Sequence, residues 1–146
     1  MEQILKEKNI FISCKGDNKE NIIKKIGEIF CREGASTEKY TAAMLEKESV
    51  MNTYIGNSIA IPHGVESSRV DVIKSCIVVM VFPEGTDWNG EVARIVIGIA
   101  SKGNDHINIL SNIASVLSDE AVVDKIINSD TYTIMEMLSN KDVSIN

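Results

Sequence analysis

The fold is decided by two neighbouring apolar stretches in the middle of the chain, VIKSCIVVMVF (Val72–Phe82) and ARIVIGIAS (Ala93–Ser101). Both are rich in Val and Ile and are nearly continuous in apolar character, which is typical of strands covered on both faces. A sheet that is covered on both faces needs a layer of helices on each side. The two stretches therefore predict the central sheet of an α/β domain.

Helical patterns precede this sheet. Apolar residues recur at helical spacing between residues 18 and 33, and Gly34 stands where a helix would end. Ser36 and Thr37 can cap a second helix, which is predicted to end near Ser49. Two helices are therefore available to cover one face.

Three shorter helical stretches follow the sheet, from Asp105 onward, with N-caps predicted at residues 118–119 and 129–130. Short strands are predicted at residues 9–14 and 59–61, the second stopped by a proline. Helices before and after the strands can cover both faces. The pattern thus predicts a three-layer α/β fold, with a mixed central β-sheet flanked by helices on both faces.

Length and composition set limits on the class of protein. A chain of 146 residues with 44% hydrophobic and 25% charged residues fits a single domain, predicted here over residues 1–146. No apolar stretch approaches the roughly 20 residues that span a bilayer, and the N-terminus lacks a signal-peptide pattern. We expect a cytoplasmic protein without membrane insertion. A net charge of -6 without a basic run argues against a nucleic-acid partner.

The three cysteines, Cys14, Cys31 and Cys76, are widely separated and lack the paired spacing of a zinc site or a disulfide framework. The sequence indicates reduced thiols, no metal and no cofactor. Cys14 ends a predicted strand before a Gly-containing loop, a geometry that can hold phosphate. A phosphatase-type loop would also need an arginine, and position 20 is Glu20. The interpretation of Cys14 as a core thiol is therefore preferred to a cysteine mechanism.

His63 and His106 are the only histidines, and each stands beside the end of a predicted strand, where open α/β sheets place their sites. Pro62 fixes its own φ angle, and Gly64 has no side chain to obstruct a protein approaching the imidazole. A neutral imidazole has one nitrogen that can attack phosphorus. His63 is therefore a candidate phosphoryl acceptor.

Phosphoryl transfer also needs hydrogen-bond donors for the oxygens of the transferring group. His106 lies between a predicted strand and a helix start, where backbone N–H groups favour an anion. Lys47 and the hydroxyls of Thr53 and Ser58 are further candidates. The alternatives remain open at this stage: a histidine is most often structural or merely exposed, a helix lysine a surface charge, and Thr or Ser in a loop a turn residue.

Two blocks carry a resemblance to a known family. The stretch ESVMNTYIGNSIAIPHG (Glu48–Gly64) resembles the phosphorylation-site signature of the mannitol/fructose-type enzyme IIA domains of the bacterial phosphoenolpyruvate-dependent sugar phosphotransferase system. The stretch IGIASKGNDHINIL (Ile97–Leu110) resembles the block around the family's second active-site histidine. The resemblance extends over nearly the whole chain and includes a predicted turn at Pro83–Trp88. It implies the family's mixed sheet flanked by helices.

The resemblance also implies roles for individual residues. His63 would be the phosphorylated residue, and His106 would help to hold the phosphoryl group. Many relatives carry an arginine where this chain has Lys47, which keeps the charge but loses the planar fork that grips two oxygens. Lys47 and Thr53 are the predicted phosphoryl-binding residues.

The partners implied by the resemblance are the phosphocarrier protein HPr as donor and a cysteine of the enzyme IIB component as acceptor, with the membrane enzyme IIC involved indirectly. The blocks around both histidines resemble the mannitol branch most. The chain is thus expected to be a phosphotransferase component for mannitol uptake. The alternative is a fructose-type or nitrogen-regulatory paralogue, which would act as an interaction module switched by phosphorylation.

Overall fold

The computed structural model describes residues 4–103 and 105–139, with the backbone alone described for residues 105–107. The strands are β1 (Leu5–Phe11), β2 (Tyr54–Gly56), β3 (Ile59–Ala60), β4 (Cys76–Trp88) and β5 (Glu91–Ala100). The helices are α1 (Lys19–Arg32), α2 (Glu38–Val50), α3 (Asp105–Val116), α4 (Glu120–Ile127) and α5 (Thr131–Ser139), and a 3₁₀ helix spans Glu66–Asp71. The predicted domain range of 1–146 extends beyond these residues and stays a prediction.

The five strands form one mixed sheet in the order β1-β4-β5-β3-β2. β4 and β5 are antiparallel neighbours at its centre, β1 pairs parallel with β4, and β3 pairs parallel with β5. β2 closes the other edge, antiparallel to β3. The mixed α/β sheet predicted from the sequence is confirmed.

Side chains on β4 alternate between two apolar clusters, one on each face of the sheet. Val78 and Met80 pack in the cluster formed with α1 and α2, whereas Val79 and Val81 pack in the cluster formed with α3, α4 and α5. Successive strand residues point to opposite faces, so a strand covered on both sides needs apolar residues at every position. The continuous apolar run is explained by this burial, and the three-layer arrangement is confirmed.

Side-chain hydrogen bonds cap two of the predicted helix starts. The side chain of Asp119 accepts a hydrogen bond from the N–H of Ala121 at 2.9 Å, and that of Asp130 accepts one from Thr133 at 2.8 Å, which confirms both N-caps. The predicted cap at Thr37 is wrong in its detail. Thr37 stands at the N-cap of α2, but its side chain makes no capping hydrogen bond there.

The segment Pro83–Trp88, predicted as a turn, is the second half of β4. Within it Thr86 pairs with Ala93 and Trp88 pairs with Glu91. The chain reverses instead at residues 89–90, an Asn-Gly pair with φ of 55° and 88°. Asn-Gly is the dipeptide that two-residue hairpins favour, because both of its residues tolerate positive φ. Because β4 extends to Trp88, this side chain lies in the core, where it is fully buried.

Two other boundaries differ from the predictions. The first strand was predicted at residues 9–14, but β1 ends at Phe11, and Ile12 beyond it is 40% exposed. An irregularity in the pairing between Leu5 and Ile10 hides the strand period in the sequence. β2 lies inside a segment predicted as a loop. In the described ranges, no helix has both the length and the apolar composition needed to cross a bilayer.

Candidate functional site

His63 follows β3 and remains attached to the central sheet. The backbone N–H of Ile99 on β5 donates to the carbonyl oxygen of Pro62 at 3.1 Å, and His63 forms an isolated parallel bridge with Ile99. Pro62 lacks a backbone donor, but its carbonyl still accepts this sheet-like hydrogen bond. The segment therefore runs along β5 for two residues beyond the predicted strand end. His63 is held at this point with its residue surface partly exposed.

A backbone hydrogen bond orients the imidazole. Nδ1 of His63 lies 2.8 Å from the carbonyl oxygen of Ile61. A carbonyl can only accept, so this geometry assigns the proton of the neutral ring to Nδ1. Nε2 is then the nitrogen that carries the in-plane lone pair. The ring is thereby arranged as a nucleophile that would attack through Nε2.

The hydroxyl of Tyr40 on α2 ties the residue after His63 to β5. It donates to the carbonyl of Ile99 at 2.7 Å and accepts from the backbone N–H of Gly64 at 3.0 Å. Tyr40 is only 3% exposed, and this burial raises the pKa of its hydroxyl, so the group stays protonated at neutral pH. Tyr40 thus fixes the backbone on the C-terminal side of His63.

The role predicted for Gly64 is wrong. Gly64 is buried, and a Cβ atom there would lie 2.6 Å from Cε1 of Tyr40 and 2.5 Å from Oγ of Ser68. Such contacts are far below ordinary van der Waals separation. The missing side chain therefore permits close internal packing against Tyr40, and it does not serve to open a path to the imidazole.

A cavity of about 170 Å³ lies beside His63. It is lined by residues of α2, the segment after β3, the 3₁₀ helix, the end of β5 and α3: Tyr40, Lys47, His63, Gly64, Glu66, Arg69, Ile99, Ser101 and Leu110. Two of these side chains carry a positive charge and one carries a negative charge. The structure thus brings Lys47 to the same cavity as His63, as a phosphoryl-binding role would require.

Arg69 is a cavity residue that the sequence reasoning missed. Its guanidinium donates to the carbonyl oxygen of Gly103 at 2.7 Å and pairs with the carboxylate of the exposed Glu66 at 3.0 Å. A planar guanidinium can bind two oxygens of one phosphoryl group. Arg69 is the sole arginine between His63 and β4 in the sequence. Its position shortly after the Pro62–Gly64 motif is the sequence signal that could have identified it.

The structure places Thr53, the other residue predicted to bind the phosphoryl group, away from the cavity. Thr53 is buried, does not line the cavity, and donates from its hydroxyl and its backbone N–H to the carboxylate of Glu48, at 2.5 and 3.1 Å. Nε1 of Trp88 donates to the same carboxylate at 3.1 Å. Ser58 is a turn residue with φ of 66°. The loop hydroxyls therefore serve the fold rather than the cavity.

The side chain of His106, the second predicted histidine, lies outside the described residues. Its backbone belongs to the first turn of α3, which begins at Asp105. The predicted position between a strand and a helix start is therefore confirmed for the backbone. The contact between His106 and the phosphoryl group stays a prediction.

The cysteines are poorly suited to act as nucleophiles. Burial raises the pKa of the thiols of Cys14 and Cys31, and it raises that of Cys76 to about 11. The thiolate is the reactive form, and a raised pKa makes it scarce at neutral pH. Cys14 also donates from Sγ to the carbonyl of Phe11 at 3.5 Å. These environments argue against the alternative cysteine mechanism.

The sequence is similar to a known protein family and to named members of it. Residues 3–141 match the family described as "Phosphoenolpyruvate-dependent sugar phosphotransferase system, EIIA 2". The "Mannitol-specific phosphotransferase enzyme IIA component" of Staphylococcus aureus is 39% identical over 127 residues, which are 87% of this chain and 88% of that protein. The protein of the same description from Bacillus subtilis is 39% identical over 128 residues, covering 87% and 90%.

Solved structures share the fold. The crystal structure of IIA mannitol from Escherichia coli superposes with a TM-score of 0.83 at 34% identity, covering 91% of this chain and 97% of that one. The complex of enzyme IIAMTL and phosphorylated enzyme IIBMTL from Escherichia coli gives a TM-score of 0.84 at 34% identity, covering 92% and 98%. The nitrogen regulatory protein IIA-Ntr from Neisseria meningitidis, at 19% identity and a TM-score of 0.79, shares the fold.

Proposed function

The chain belongs to the EIIA 2 family of the phosphoenolpyruvate-dependent sugar phosphotransferase system, and from this premise we propose that it carries a phosphoryl group on Nε2 of His63. The observation that carries the proposal is the hydrogen bond between Nδ1 of His63 and the carbonyl of Ile61, at 2.8 Å. It holds the proton on Nδ1 and leaves the lone pair on Nε2, the ring nitrogen farther from the Ile61 carbonyl. The ring needs no separate base, because the attacking nitrogen carries no proton.

The transfer is balanced without any further reactant. As the phosphoryl group leaves HPr, its bond to the donor breaks while a bond from phosphorus to Nε2 forms. The proton on Nδ1 stays on the ring and remains bonded to the Ile61 carbonyl, which also stabilises the positive charge that the imidazole gains. In the second step the Nε2–P bond breaks and the phosphoryl group passes to a cysteine thiolate of enzyme IIB.

Two cations on the cavity wall support this chemistry. Lys47 and Arg69 approach the cavity from α2 and from the 3₁₀ helix, and phosphoryl transfer depends mainly on positioning and on stabilising the charge of the phosphoryl oxygens. Arg69 provides the planar fork that Lys47 lacks. We propose that both cations bind phosphoryl oxygens, with Glu66 released from Arg69 when the group is present.

Mannitol is the sugar that the comparisons favour. Relatives that cover most of this chain at 38 to 39% identity are described as mannitol-specific, whereas the nitrogen regulatory structure shares only the fold. In this proposal the chain works in the cytoplasm, accepts from HPr and passes the group to the mannitol enzyme IIB. Enzyme IIC takes part indirectly, as the membrane component that meets the sugar.

The function is tested by reconstituting the relay with the natural chain. Incubation with phosphoenolpyruvate, enzyme I and HPr is expected to give a phosphohistidine whose phosphorus-31 resonance is that of the Nε2-linked isomer. Addition of a mannitol enzyme IIB should discharge it faster than addition of a fructose enzyme IIB. A resonance of the Nδ1-linked isomer would contradict the tautomer argument. Absence of phosphorylation would contradict the proposed function.

An apolar groove beside the site is a suitable place for both partners to dock. It has a volume of about 470 Å³ and shares Leu110 with the His63 cavity. Both Ile61 and Ile55 line this groove. Ile61 is buried, whereas Ile55 on the edge strand β2 is 51% exposed. A transient relay interface gains most from a few apolar contacts near its centre. We propose that Ile55 contacts HPr and enzyme IIB.

The Ile55→Asp substitution is expected to lower kcat/KM for transfer from HPr by about tenfold, because a charge would have to be desolvated in the contact. The matched control is Ile12→Asp, which introduces the same charge at a partly exposed position after β1, on the opposite edge of the sheet. Rates would be measured at several HPr concentrations. Equal rates for the Ile55 and Ile12 variants would exclude a docking role for Ile55.

A further inference from the structure

Ser101 is a buried cavity residue whose side chain has no assigned role. It follows the last residue of β5, is only 3% exposed, and lines the same cavity as His63. Within the part of the chain that the structure describes, its hydroxyl has no hydrogen-bond partner. Buried hydroxyls are nearly always hydrogen-bonded, because leaving one unpaired costs free energy. An unpaired hydroxyl beside a reactive histidine therefore requires an explanation.

The sheet register brings Ser101 close to His63. His63 forms a parallel bridge with Ile99 on β5. Ser101 is two residues after Ile99 in the sequence, directly beyond the end of β5. Side chains two residues apart in extended chain lie on the same face. Ser101 therefore follows Ile99 on the same face of the sheet, next to His63.

The other neutral hydroxyl of the cavity is already occupied. The one proton of the Tyr40 hydroxyl is donated to Ile99, while its oxygen accepts from Gly64. The backbone N–H of Lys102, next to Ser101, also has a partner, because it donates a hydrogen bond to Oγ of Ser75 at 2.9 Å. Ser101 therefore differs from its neighbours in having a hydroxyl proton to offer. The cavity of about 170 Å³ exceeds the roughly 30 Å³ of one liquid water, so a larger group has room.

We propose that the Ser101 hydroxyl donates a hydrogen bond to an oxygen of the phosphoryl group on His63. The inference rests on the proposed function and adds a phosphoryl-binding residue to it. Lys47 and Arg69 supply charge, whereas Ser101 supplies a neutral donor from the residue that follows β5. A donor already positioned in a buried site needs little reorganisation when the phosphoryl group arrives. Its unpaired state before transfer is thereby explained.

The test compares Ser101→Ala with Ser36→Ala. Ser36 is also a buried serine, 4% exposed, whose hydroxyl has no partner among the described residues, but it pairs with Val72 and does not line the cavity. Ser101→Ala is expected to slow transfer from HPr about tenfold, the loss typical of one hydrogen bond to a charged group. Ser36→Ala should transfer at the natural rate. Ser101→Cys, with a weaker donor, should be intermediate.

A second measurement separates binding of the phosphoryl group from a structural effect. Phosphorus-31 spectra of the phosphorylated proteins are recorded against pH. Loss of a donor to the dianion should move the titration of the phosphoryl group to higher pH in Ser101→Ala only. If the natural chain is phosphorylated but Ser101→Ala keeps both its rate and its titration, the inference is wrong while the proposed function stands. If the natural chain takes no phosphoryl group, both are wrong.

Discussion

The His63→Ala chain is expected to take up no phosphoryl group from HPr, whereas the natural chain becomes fully labelled. The substitution removes Nε2, the atom to which phosphorus bonds, and also the Nδ1 contact with Ile61 that orients the ring. The thiols of Cys14, Cys31 and Cys76 are poor substitutes for the imidazole, because burial raises their pKa values and makes the reactive thiolate scarce. Label from radioactive phosphoenolpyruvate would be measured after separation on gels, with acid lability as the signature of phosphohistidine.

Two matched variants assign the roles within that experiment. Cys14→Ser should label like the natural chain, which would exclude the cysteine mechanism. His106→Ala should still be labelled but should pass the group to enzyme IIB roughly a hundredfold more slowly, the usual scale for loss of one stabilising donor. Label that persists on His63→Ala would contradict the proposed function. Loss of label from both histidine variants would instead make His106 a second essential residue for acceptance.

The Glu48→Ala chain is expected to lose about 3 to 5 kcal/mol of unfolding free energy, because the side chain accepts three hydrogen bonds in the core. The donors are the hydroxyl and N–H of Thr53 and the indole Nε1–H of Trp88, and all three would be left without this partner. Trp88 is the sole tryptophan, so its fluorescence reports both local packing and global unfolding. Unfolding in urea, followed by fluorescence and circular dichroism, would give the difference.

Glu46→Ala is the matched control for this stability prediction. Glu46 lies on the exposed side of α2, so its removal should change the unfolding free energy by less than about 0.5 kcal/mol. Glu48→Gln should be intermediate, since an amide offers one acceptor oxygen where the carboxylate offers two. An unfolding free energy equal to that of the natural chain in Glu48→Ala would show that water or a rearranged side chain replaces the three bonds.

Glu48 also links stability to the site. Its carboxylate, in the last turn of α2, accepts hydrogen bonds from Thr53 in the segment before β2 and from Trp88 at the end of β4. Lys47, the neighbouring residue, lines the His63 cavity. Holding the end of α2 against the sheet therefore also sets where Lys47 meets the cavity.

Much of the fold could be predicted because its causes are local. The helical spacing of apolar residues produced α1 and α2 nearly as expected, and the caps at Asp119 and Asp130 use side chains close in sequence to the amides that they bind. The boundaries that failed depend on pairing between distant strands. β4 continues beyond Pro83 because β5 pairs with it. β1 ends at Phe11, where its pairing with β4 ends, and Ile12 beyond it is 40% exposed.

The candidate site also has some features that the local sequence predicted and others that depend on distant contacts. The Pro62–Gly64 signature made His63 the candidate phosphoryl acceptor from sequence alone, since a short motif of unusual composition can be recognised without knowledge of contacts. Thr53 is part of the same stretch, but its hydroxyl is bound by Glu48 inside the core. Proximity in sequence to His63 therefore did not imply proximity of the side chain to the cavity. The roles of HPr, enzyme IIC and His106 stay predictions.

The sequence by itself determined the layers of this protein, its candidate phosphoryl acceptor and its family, because hydrophobic periodicity and a compact motif are properties of consecutive residues. Only the tertiary structure decided which groups surround that histidine. Tyr40, Arg69 and Ser101 come from a helix, a 3₁₀ helix and a strand end that are far apart in the chain. They meet because the sheet order places β3 beside β5, and no local pattern encodes that pairing.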